Sequence, residues 1–147
     1  MAFYGSGAGI TALVQGDTTG SHTSTTSDRS LSGSYVTHRT ITKTVPSGHT
    51  GHFACHAFFS RMRESEAGGF RCRCQVTGTS TQTNHEFTGA KGHEDHDGDV
   101  SNPTWFFTLG PGTYTFNLQV KEWFGNIILN YYSGTDHWTV NGYHVRD

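Results

Sequence analysis

The densest set of ligand-type side chains is the run His93-Glu94-Asp95-His96-Asp97-Gly98-Asp99. Asp95, Asp97 and Asp99 alternate around a glycine, and such a loop can wrap carboxylate oxygens around a hard cation such as calcium. The spacing departs from the EF-hand loop, because Gly98 precedes the third Asp and no Glu closes the loop. His93 and His96 offer ring nitrogens to a transition metal instead. The same residues read equally as a solvated acidic loop rich in turn formers.

His49, His52 and His56 form a second group with Cys55 beside them. On a strand Cys55 points away from His52 and His56, so the two imidazoles need a third ligand from elsewhere. They read otherwise as exposed strand residues, and in a trimer they can line the axis. Cys72 and Cys74 sit two apart. On a strand that spacing leaves the thiols about 7 Å apart on one face, too far for a disulfide between them. Buried small side chains are the simpler reading. Arg61, Arg63, Arg71 and Arg73 gather near one turn and can meet a phosphate or a carboxylate on a partner, or Glu64 and Glu66 close by can neutralise them at a solvated hairpin end. Trp105, Trp123, Trp138, Tyr131 and Tyr132 can supply a sugar-stacking platform where two are exposed together. Trp123 and Tyr132 are the surface candidates, since alternation puts Trp138 on an apolar face. No nucleophile–base arrangement, G-x-S-x-G turn or phosphate loop is present, so no catalytic activity is expected.

The elements that must position these residues are strands. The 147 residues include 19 glycines, and only 15% are charged. Frequent glycine among β-branched and aromatic residues favours short strands and tight turns over helices. HFACHAFF alternates, with Phe53, Cys55, Ala57 and Phe59 on one face. FRCRCQV does the same with Phe70, Cys72, Cys74 and Val76. TYTFNLQV is the clearest strand, with Tyr114, Phe116, Leu118 and Val120 inward. Asn141-Gly142, between HWTV and YHV, is a strong hairpin signal because both turn positions need φ > 0. These elements predict an all-β domain of about eight strands, an antiparallel β-sandwich of jelly-roll or Ig-like type with a C-terminal NG hairpin.

Residues 31–147 form the predicted single sandwich domain. Residues 1–30 form an N-terminal arm with one short strand. Within it the run from Gly16 to Ser30 is expected to lack regular structure and to gain order from a neighbouring subunit. Phe3 and Tyr4 precede a glycine-rich hinge and are the expected anchors of such an assembly. The N-terminus has no basic region followed by a long apolar stretch, so no secretory signal is expected. The net charge of −2 makes no case for nucleic acid or an anionic membrane. Three cysteines are not a disulfide framework.

The residues Leu109-Gly110-Pro111-Gly112-Thr113-Tyr114 resemble the tyrosine corner of Greek-key sandwiches, which implies that Tyr114 bonds back to the upstream backbone. Together with ITKTVPSGHTGHF and FTLGPGTYTF, the chain resembles β-sandwich proteins of bacteriophage particles of the head decoration, tail fibre or adaptor type. It lacks the HxH repeats that some fibres use for metal. The resemblance implies a structural virion protein that acts through contacts with its own copies and with other virion proteins; the missing signal fits synthesis in a host cytoplasm, and the N-terminal arm points to a symmetric oligomer, a trimer. The alternative is a carbohydrate-binding, lectin-like module that meets surface glycans and uses calcium. No other cofactor is implied.

Overall fold

The computed structural model describes residues 21–25, 29–59, 62–64, 68–83, 87–91, 102–129 and 135–147. Among them every regular element is a strand. They are β1 (Ser21–Thr25), β2 (Arg29–Ser30), β3 (Val36–Val45), β4 (His49–Phe58), β5 (Met62–Glu64), β6 (Gly69–Gly78), β7 (Gln82–Thr83), β8 (Phe87–Lys91), β9 (Thr104–Leu109), β10 (Gly112–Phe124), β11 (Ile127–Leu129) and β12 (Asp136–Arg146). Eight of these span five residues or more.

Every pairing is antiparallel. A four-stranded sheet runs β1-β12-β4-β9. A five-stranded sheet runs β3-β10-β6-β7, with β8 also on β6. Three short strands make a third sheet, β2-β11-β5. The two larger sheets face each other. Phe53 of β4 and Phe107 of β9 both pack on Phe116 of β10, and the Trp138 indole N–H of β12 donates to the Phe116 carbonyl at 3.2 Å. The alternations read in β4, β6 and β10 hold, since Phe53, Cys55, Ala57, Phe59, Phe70, Cys72, Cys74, Val76, Tyr114, Phe116, Leu118 and Val120 are all buried. Each strand thus turns its apolar set inward at the two-residue period.

The Tyr114 hydroxyl donates to the Gly110 carbonyl at 3.1 Å, as a tyrosine corner does, and the side chain is buried.

Two expectations are overturned. Asn141-Gly142 is not a turn. Both residues lie inside β12, paired with Ala54 and Phe53 of β4. Gly142 is absent from the glycines with positive φ. It is needed for a different reason, because a Cβ there would lie 2.4 Å from the Phe53 ring. Gly51 makes the same room on the other side, where a Cβ would meet the ring at 2.7 Å. The register therefore keeps the whole strand alternating, and His144 is buried with Trp138 and Val140.

The second correction concerns Gly16 to Ser30. Within it Ser21–Thr25 is an edge strand on β12, and Arg29–Ser30 pairs with β11. An edge strand is held by backbone bonds and needs little apolar surface, which the polarity of the run did not reveal.

Candidate functional site

Strand β4 sends His52, Ala54, His56 and Phe58 outward, between β9 and β12. Directly across from Ala54 stand Phe106 of β9 and Asn141 of β12, and across from His52 stand Thr108 and Tyr143. Alternation in Thr104–Leu109 buries Trp105, Phe107 and Leu109 and leaves Phe106 outside. Phe106 is 73% exposed and Tyr143 50%, and Phe58 is also exposed on this face. Because Ala54 is small, the sheet surface drops between the two aromatic rings. The result is an open depression of about 480 Å³ whose walls include Phe106, Tyr143, His52, Thr108 and Asn141.

Among the described residues no Asp, Glu, Lys or Arg lines it. His52 stacks on Tyr143 with ring centroids 5.1 Å apart and shares a 3.2 Å hydrogen bond with the Thr108 hydroxyl. His56 bonds the Thr104 hydroxyl at 2.9 Å, and Phe58 packs on His137. His52 and His56 are thus engaged in cross-strand pairs, while the His49 ring donates locally to the Ser47 carbonyl at 3.0 Å. Among the described residues no three His, Cys, Asp or Glu side chains converge as a metal site.

A second polar feature lies inside the domain. The register of β3 on β10 skips from Arg39 to Thr37, so His38 is the extra residue of a bulge. A bulge re-aims its side chain. His38 turns inward, stacks on Phe59 and bonds the Asp136 carboxylate at 3.0 Å, with both side chains 1% exposed. The pair ties the edge of one sheet to the start of β12 in the other. The His38 Nδ1 has no hydrogen-bond partner. Burial holds the neighbouring Arg39 guanidinium below its ordinary value, while Asp136 raises it and Arg29 lowers it further. Burial, followed by a hydrogen bond with Cys55, pushes the Cys74 thiol far up. Cys55, Cys72 and Cys74 are all buried and none forms a disulfide.

Of the sites read from sequence, Phe3, Tyr4, His93, Asp95, His96, Asp97, Asp99 and Tyr132 lie outside the described residues. Trp123 is 46% exposed, as a surface position requires, with the Arg71 guanidinium 4.8 Å from its ring centre. Arg71 and Arg73 stand on β6 rather than at a turn. Sequence reasoning passed over the depression. The period of β9 already put Phe106 outside, but Tyr143 and Asn141 joined it only because the Asn-Gly pair continues the strand.

No protein-family model matches the chain, and no curated protein matches it. Among solved structures, one of infectious bursal disease virus, Gt strain, is similar at 7% identity and a TM-score of 0.30. The match covers 82% of this chain, which spans only 37% of that one.

Proposed function

We propose that this chain is a structural protein of a virion, of the phage head decoration, tail fibre or adaptor type. It acts without catalysis, by docking the outer face of the β1-β12-β4-β9 sheet on other copies of itself, as a trimer, and on neighbouring particle proteins. The observation that carries this reading is the exposed aromatic set Phe58, Phe106 and Tyr143 on one sheet face. Exposed large aromatics gathered on one face mark an interaction site. The buried thiols suit a protein that folds in a reducing cytoplasm.

Phe106→Ser with Tyr143→Ser tests it. Both side chains are exposed, so the fold should survive and the thermal midpoint should hold. Wild type should run as an oligomer in light scattering and the variant as a monomer. A monomeric wild type that neither self-associates nor binds a co-produced particle protein would remove the reading.

The neutral lining of the depression favours a second reading, a carbohydrate-binding module. Aromatic walls take the apolar face of a sugar, while Asn141, Thr108 and His52 meet its hydroxyls. Binding of neutral oligosaccharides that is lost in the same variant would select it.

A further inference from the structure

The outer face of the five-stranded sheet is built differently. The outward positions of β6 are Arg71, Arg73, Gln75 and Thr77. Those of β10 run Thr113, Thr115, Asn117, Gln119, Lys121 and Trp123. The register sets Lys121 directly opposite Arg71, and Gln119 opposite Arg73. Three cations therefore occupy neighbouring positions of two paired strands, and no Asp or Glu stands among these outward positions.

Like charges directly opposite on a sheet are destabilising. The fold keeps them and spreads their charge over aromatic rings. The Arg73 guanidinium lies 3.8 Å from the ring centre of Tyr35, and the Lys121 ammonium lies 4.6 Å from the same ring. Arg71 is over Trp123 at 4.8 Å. Arg73 also donates to Gln119 at 2.8 Å, and Gln119 donates to Gln75 at 3.1 Å. Side-chain amides thus continue the cation row along the face. Such an arrangement sits on a chain whose net charge is −2.

We infer that this face binds an acidic saccharide, a glycan whose units carry carboxylate or sulfate. The three cations meet the anionic groups. The amides and hydroxyl of Gln75, Gln119 and Thr115 meet the sugar hydroxyls. Single-stranded nucleic acid fits less well, because binding it takes several open rings for successive bases. Here Tyr35 already carries two cations, and Trp123 is the one indole exposed among the described residues. The inference rests on charge and register on this sheet, and stands or falls independently of the aromatic face of the other.

Trp123 supplies the readout, since Trp105 and Trp138 are buried. The probes are a heparin hexasaccharide and a hexagalacturonate, with maltohexaose as the neutral control and oligo(dT) as the nucleic acid. Either acidic oligosaccharide should change the indole fluorescence and weaken in binding as salt rises, while maltohexaose does nothing at this face. Arg73→Gln with Lys121→Gln should raise the dissociation constant at least about tenfold, and Arg73→Lys with Lys121→Arg should restore most of it. Should the glutamine variant fold poorly, the salt dependence and probe preference of the wild type decide alone. Absence of binding by both acidic probes, binding indifferent to salt, an unchanged constant in a folded glutamine variant, or tighter binding of oligo(dT) would each overturn the inference.

Discussion

Gly142→Ala isolates the packing argument for the Asn-Gly pair. The new methyl group would sit 2.4 Å from Phe53 Cδ1 and 2.9 Å from the His52 carbonyl oxygen. Phe53 cannot swing away freely, because it also packs on Phe116 and lies edge-on to His144, and Gly51 closes in from the other side. Overpacking a core position costs about 1–3 kcal/mol. Replacing glycine by alanine returns about 0.4–1 kcal/mol by restricting the unfolded chain. The net loss should be about 1–2 kcal/mol, or about 3–6 °C in thermal midpoint for a domain of this size. Urea melts of Gly142→Ala, Phe53→Leu and the double variant complete a cycle. With the ring removed, the alanine should cost less than about 0.5 kcal/mol, giving a coupling near 1 kcal/mol. In a hairpin turn the penalty would come from positive φ and would not depend on Phe53. An equal cost in both backgrounds, or none in either, would refute the assignment of Gly142 to the strand interior.

Tyr114→Phe should lose about 1 kcal/mol in a urea melt, because the Gly110 carbonyl loses its 3.1 Å donor. Asp136→Ala should lose about 1–3 kcal/mol by leaving the buried His38 ring nitrogen without its hydrogen-bond partner, while His38→Leu with Asp136→Leu should lose less. Cys74 is held protonated in the fold, so the unfolded chain releases that proton first as pH rises. Stability should hold up to about pH 9.0, the ordinary thiol value, and fall above it, and Cys74→Ala should flatten part of that slope. The three thiols should resist alkylation in the native protein and react together on unfolding.

The strands that carry the core were legible wherever a two-residue alternation ran on unbroken, as in HFACHAF and TYTFNLQV. The tyrosine corner was legible from six residues, because a Pro/Gly turn and a tyrosine at fixed spacing leave few other geometries. Asn141-Gly142 misled because the dipeptide encodes only a local preference, and pairing with a large ring across the sheet overrode it. Ser21–Thr25 was missed for a related reason, since the partner that holds it lies at the far end of the sequence. The His38–Asp136 pair had no signal at all. A bulge is a mismatch between two strands, and neither strand shows it alone. The depression at Ala54 was half visible, with Phe106 fixed by period and Tyr143 hidden by the turn reading.

The placement of β12 has a consequence for how the protein is made. It lies between β1 and β4, so Ser21 finds its partner at Val140, and Cys55 shares that same partner. A nascent chain that has not yet reached Asp136 carries β1 without its mate and β4 paired on one side only. Both present unpaired backbone edges, and the inward face of β4 lacks Trp138 and Val140 beside its Ala57 and Cys55. Such a chain is exposed to association with its neighbours on the polysome until the final strand is delivered. Premature stops within β12 should therefore yield insoluble product rather than a shortened soluble domain.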